Sequence, residues 1–110
     1  VTAGGPRGAF PERIRALPPF EGPFDAFRLE ARGCDVLFAS YPAGTRIAPH
    51  EHPTENCGVI LSGELILTLD DRERRYGPGD WYEIPAGATH AARFEVATSE
   101  VEFWFEEERS

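Results

Sequence analysis

From Cys34 onward, apolar residues fall in short stretches that alternate with polar ones and are broken about every eight to twelve residues by turn residues, the texture of an all-β sandwich or barrel. The pattern predicts strands at Asp35 to Tyr41, Cys57 to Leu61, Glu64 to Leu69, Glu73 to Tyr76, Trp81 to Ile84, His90 to Val96 and Glu100 to Glu106. Pro42-Ala43-Gly44, Ser62-Gly63, Asp70-Asp71, Gly77-Pro78-Gly79 and Pro85-Ala86-Gly87 punctuate them. No helical period is sustained beyond two turns, which disfavours a parallel α/β sheet. In the last strand Phe103 and Phe105 are expected to form one packed face, alternating with Glu102, Trp104 and Glu106.

Before Cys34 the texture differs. Pro6, Pro11, Pro18, Pro19 and Pro23 stand among Phe10, Phe20, Phe24 and Phe27, a proline density that blocks long helices and central strands. Pro11 to Leu17 has room for one or two helical turns, with Pro11 at the first helical position. The rest reads as an extended arm whose phenylalanines lie on the barrel or on a partner subunit. The expected organisation is an arm over 1–34, one β domain over 35–106 and a solvated acidic tail over 107–110.

At 110 residues, one domain is expected. A formal charge of −8 disfavours nucleic acid and anionic membrane surfaces as partners. No window resembles a membrane span and the first twenty residues lack signal-peptide features, so a cytoplasmic protein is expected. Cys34 and Cys57 are too few for a disulfide framework and are expected as packed thiols.

The three histidines carry the candidate chemistry. His50 and His52 are one residue apart, so on an extended strand both imidazoles project from one face with Cβ atoms about 7 Å apart. That is half of a metal site or, equally simply, a polar strand end.

The frame around the pair is more specific. Gly44, five residues, His50, one residue, His52, then Asn56 and Gly63 fall at the spacings of the first cupin motif. Gly79, Pro85, Gly87 and His90 fall at those of the second. Over Gly44 to Phe94 the chain resembles a cupin of the small single-domain type. The resemblance implies a jelly-roll β-barrel, one divalent transition metal (Zn, Ni, Fe, Mn or Cu) held by His50, His52 and His90, and a homodimer. Two positions depart from the motifs: Asn56 stands where a carboxylate ligand is usual, and Phe94 where the second motif ends in Asn. The fourth ligand is Asn56, or Glu55 if the chain bulges by one residue, or no protein group at all. A neutral ligand set leaves the metal's charge uncompensated, which favours carboxylate, enolate or hydroxy-keto oxygens as ligands.

Four further readings concern the cavity. Arg46 shares parity with His50 and His52 and on a regular strand faces inward to hold a substrate carboxylate, or else lies on the surface. Phe94 forms an apolar wall beyond His90, for substrate or simply for the core. Tyr82, on the face of Ile84, offers a hydroxyl as donor or acid. With every histidine committed to metal, proton transfer falls to metal-bound hydroxide, Tyr82 or Glu55. The expected function is a metal-dependent isomerase, cyclase, lyase or dioxygenase acting on a small carboxylate, sugar acid or enediol-like molecule. A non-catalytic binder of such a ligand and a structural barrel with incidental metal are the alternatives.

Overall fold

The computed structural model describes Phe10 and residues 12–105. A single helical turn, α1 (Glu12–Arg15), precedes β1 (Asp25–Ala31), β2 (Cys34–Tyr41), β3 (Thr45–His50), β4 (Glu55–Ser62), β5 (Leu65–Leu69), β6 (Arg72–Tyr76), β7 (Trp81–Ile84), β8 (His90–Phe94) and β9 (Thr98–Phe105). All pairings between these strands are antiparallel. They form a five-stranded sheet in the order β1-β2-β9-β4-β7 and a four-stranded sheet in the order β3-β8-β5-β6. The expected acidic tail and Pro11 lie outside the described residues.

The core is the seam between the two sheets. Leu37, Ala39, Tyr41, Ile60, Tyr82 and Ile84 from the larger sheet meet Leu65, Leu67 and Phe94 from the smaller one. Alternation puts them there, since successive side chains on a strand face opposite ways. Phe94 is 1% exposed and stacks on Tyr41 with ring centroids 4.1 Å apart.

The turn residues explain the glycine spacing. Gly44, Gly63, Gly79 and Gly87 each stand in a connection that carries the chain from one sheet to the other. All four have φ between 78° and 88°. Gly63 is also crowded, because a Cβ there would lie 2.4 Å from both the Ala97 carbonyl oxygen and Thr98 Oγ1. Gly63→Ala therefore combines left-handed strain with a backbone clash, and a loss of more than about 2 kcal/mol in chemical denaturation is expected. Asp70 and Asp71, with φ of 51° and 62°, make the two-residue turn between β5 and β6, where the positive φ at both central positions suits the strand twist.

The amino-terminal segment is more structured than proline density suggests. Residues 25–31 form β1, which pairs along its length with β2 and extends the larger sheet by an edge strand, where missing donors are tolerated. Phe10 packs edge-on against Phe27 and Phe38 on the outer face of that sheet. Phe20 and Phe24 instead pack on the core side, with Phe24 against Tyr41 at 5.3 Å. The segment thus wraps the β1 edge and touches both faces. No described helix is long and apolar enough to cross a membrane.

Candidate metal centre

The three histidines converge. His50 ends β3 and pairs directly with His90, which opens β8, while His52 lies in the loop that leads to β4. Ring centroids are 4.3 Å apart for His50 and His90, 4.8 Å for His52 and His90, and 5.7 Å for His50 and His52. One ring nitrogen from each can be chosen so that all three lie within 4.8 Å of one another. The second motif also fixes the first: the Gly87 amide donates to the His52 carbonyl at 2.9 Å. His52 is braced further by Trp104, 4.7 Å between ring centroids.

The backbone selects one tautomer for all three rings. Nδ1 of His50 lies 2.9 Å from the Ala48 carbonyl, Nδ1 of His52 2.8 Å from that of Thr54, and Nδ1 of His90 2.9 Å from that of Ala88. A carbonyl only accepts, so each neutral ring carries its proton on Nδ1 and presents a bare lone pair on Nε2. This is the arrangement by which a protein orients a metal-ligating imidazole. His52 Nε2 is buried and has no hydrogen-bond partner, which a metal ion would supply. Burial, followed by the nearness of His50 and His52, lowers the His90 pKa from its ordinary value, although the Ala88 carbonyl pulls the other way. The neutral form that ligates is favoured. The donor set fits a divalent transition ion, and imidazole nitrogens do not by themselves choose among zinc, nickel, iron, manganese and copper.

Beside the histidines, a cavity of about 280 Å³ opens between the sheets. Asn56 is 3% exposed and lines it, on the inward face of β4. Its Nδ2 donates to the Phe103 carbonyl at 3.1 Å and the Cys57 carbonyl at 3.4 Å, which leaves Oδ1 as its acceptor. Glu55 is exposed on the opposite face and is absent from the cavity wall. Strand β4 is regular here, Glu55 opposite Phe105 and Asn56 opposite Trp104, so the one-residue bulge that would turn Glu55 inward is not formed. This corrects Glu55 both as alternative ligand and as base.

Arg46 takes the second of its two readings, at the surface. The register of β3 shifts between Ile47 and His50, and this irregularity reverses the parity on which an inward Arg46 depended. Ile47 packs on the core, while Arg46 is exposed, although it is among the residues that line the cavity. Tyr82, Ala92 and Phe94 do line the cavity, and Arg93 pairs outside with Glu73 at 2.6 Å. Burial, then the charges of Glu102 and Glu100, pushes the Tyr82 hydroxyl well above the ordinary phenol range, so it serves as a donor and not as a base.

The inner wall of β9 differs most from expectation. Glu100 and Glu102 are each 2% exposed and line the cavity with Trp104, whereas Phe103 turns outward to stack on Trp81 at 5.9 Å and Phe105 is exposed. Tyr41 donates its hydroxyl proton to Glu102 Oε2 and Trp104 Nε1 donates to Oε1 at 3.0 Å. Hydrophobicity had pointed to the other face of β9, and nothing local in the sequence marks these carboxylates. Only the register of β9 beside Asn56, which sets Trp104 inward, places them.

Burial first, then the charge on Glu102, raises the Glu100 carboxyl well above the usual carboxylate range. An acid raised in this way is neutral in the native state while its unfolded counterpart is ionised, so stability is retained below the unfolded value and lost as pH rises through the native one. Chemical denaturation should find Glu100→Gln gaining on the parent from pH 5 to pH 9; a constant difference would contradict the neutral state.

Residues 37–104 match the cupin domain family, and the chain belongs to that family. It is similar to the dimethylsulfoniopropionate lyase DddQ of Ruegeria pomeroyi, 42% identical over 53 residues, 47% of this chain and 26% of that protein. It is also similar to the H2HPP isomerase of Bacillus subtilis, 33% identical over 63 residues, 56% of this chain and 27% of that protein. The chain thus matches about a quarter of the length of each curated relative. An RmlC-like cupin from Shewanella frigidimarina superposes with a TM-score of 0.73 at 15% identity, covering 87% of this chain and 86% of that one, which shows the shared fold.

Proposed function

We propose that the chain is a metal-dependent cupin enzyme that acts on a small oxygen-rich molecule, a carboxylate, sugar acid or enediol-like compound. The observation that carries this reading is the common anchoring of three Nδ1 atoms on backbone carbonyls, which leaves three Nε2 lone pairs beside the cavity between the sheets. His50, His52 and His90 would hold the ion, with Asn56 Oδ1 as fourth donor. A divalent ion bound there supplies Lewis acidity toward anionic oxygens. Four neutral donors leave its charge uncompensated, so a carboxylate or enolate oxygen is the preferred partner. The apolar walls, Phe94 among them, exclude water around such a ligand, and Tyr82 offers it a phenol proton in a hydrogen bond. The relatives named as a lyase and an isomerase support chemistry of this type.

Proton NMR in D₂O tests the reading. The metal-loaded protein is expected to exchange a C–H adjacent to a carbonyl in at least one 2-oxo or 2-hydroxy-keto acid, and His90→Ala to abolish the exchange. Ligand line broadening without exchange would favour a non-catalytic binding protein. At position 56, Asn56→Glu is expected to tighten metal binding about tenfold by supplying the missing negative charge; weakened binding in competition titrations would place position 56 outside the shell.

The homodimer implied by the family resemblance would use the outer face of the larger sheet. Phe10 covers its β1 and β2 end, but Trp81 and Leu61 remain 57% and 45% exposed. A paired subunit would bury this apolar surface. Trp81→Glu is expected to shift the mass measured by light scattering from dimer to monomer.

A further inference from the structure

We propose that the end of the cavity away from the histidines is a subsite for the apolar tail of a carboxylate ligand, and that Phe24, carried there by the amino-terminal segment, is its specificity-determining residue. The carboxylate end of this arrangement rests on the metal reading; the tail end does not.

A reversal of the chain places Phe24 in the wall. Pro18 to Phe20 run back along the free edge of β1: the Phe20 amide donates to the Ala26 carbonyl at 2.8 Å, the Arg28 amide donates to the Pro18 carbonyl at 2.9 Å, and Pro19 bridges Phe27. Prolines are tolerated on such an edge. The turn between, residues 21–24, is tight, since a Cβ at Gly22 would lie 2.1 Å from the Phe20 ring. It brings Pro23 and Phe24 to the cavity, although both precede the residues that match the cupin family. Phe24 is half-buried, its ring 4.9 Å from that of Phe20 and 5.3 Å from that of Tyr41, which in turn stacks on Phe94.

These rings stand well away from the metal centre. Phe94 is four residues beyond His90 on β8, about 13 Å of extended strand. Between them the wall is Ala92, with Leu65 and Leu67 on the neighbouring β5. The polar groups of this half are turned to one another or to the backbone. Thr45 Oγ1 donates to the Pro42 carbonyl at 2.6 Å, Tyr41 donates its hydroxyl proton to Glu102, and the Glu100 carboxyl is hydrogen-bonded to Glu102. Arg46 is exposed on β3 and adds no buried charge. The hydroxyls of a sugar acid would be desolvated here with few partners, whereas methylene or aryl groups gain by leaving water. Among ligands with an anionic head for the metal, this wall selects those with an apolar tail.

The probes are the straight-chain acids from acetate to octanoate, titrated into zinc-loaded protein by isothermal calorimetry. Each methylene that enters the subsite is expected to tighten binding about fourfold. Phe24→Ala is expected to weaken the best acid at least about tenfold while acetate changes less than about twofold; Phe24→Leu, which keeps an apolar wall, should lose less than about threefold. Zinc content and circular dichroism of both variants are expected to match the parent protein. A merely structural role for Phe24 would move acetate and the longer acids together. In the unsubstituted protein, the terminal methyl of the best acid is expected to give nuclear Overhauser effects to the Phe24 ring, a readout that needs no variant. No gain with chain length, an unchanged series in Phe24→Ala, equal losses for acetate and the best acid, or no Overhauser contact would each overturn the subsite. If zinc is absent from the unsubstituted protein, the metal reading has failed instead. The 1-alkanols, which need no metal, then carry the same comparison, and a series that does not depend on Phe24 overturns the subsite.

Discussion

Replacing His90 with alanine is expected to weaken metal binding by more than about 100-fold while the two sheets remain folded. Disturbing the partners that merely orient ligands costs 10- to 100-fold in comparable sites, and here a ligand itself is removed. His90 is the central member of the cluster, nearest to both other rings, and it is the one on which the second motif acts. Folding should survive, because an alanine at the start of β8 keeps the backbone pairing with His50 and with Leu69. The comparison is made by competition with a chromophoric chelator, with circular dichroism as the control. Retention of parental affinity would remove His90 from the shell.

Phe94→Ala is expected to lower stability by about 3–5 kcal/mol, the range for truncating a large buried aromatic. The residue is 1% exposed, lies face to face with Tyr41 and belongs to the core formed by both sheets. Tyr41 in turn donates to Glu102, so the cavity left by the ring would loosen the carboxyl pair as well. Urea denaturation measures the loss. A change below about 1 kcal/mol would mean that Phe94 serves the ligand alone and not the core. The position thus joins the two readings made of it: it walls the cavity because it packs the seam.

Much of the fold and of the candidate metal centre was legible in the residue pattern, and the exceptions have physical causes. The motif glycines marked the crossings between sheets because a positive φ is a local requirement, visible in one residue. The histidines were legible through the two cupin-like motif spacings, one holding His50 and His52 and the other His90, and the pairing of β3 with β8 brings the two motifs round one point. Tyr82 and Asn56 followed from strand parity, which held because β7 and this part of β4 are regular. The inward alternative for Arg46 gave way to the surface one because a register shift changes parity without leaving a mark in composition. Strand β1 was hidden by the prolines around it, although residues 25–31 contain none. Strand β9 shows a different limit. Its phenylalanines were expected to form one packed face, yet the face turned to the cavity carries Glu100 and Glu102, whose burial depends on Tyr41, Tyr82 and Trp104 from three strands. A polar network assembled across a sheet has no signature in any one segment.

The central claim is that His50, His52 and His90 form one metal site. Elemental analysis of the untagged protein by inductively coupled plasma mass spectrometry, before and after dialysis against a chelator and again after reconstitution, tests it most directly. Close to one equivalent of a divalent transition metal, lost to the chelator and regained on reconstitution, is the predicted result. Failure to take up any stoichiometric metal on reconstitution would contradict it.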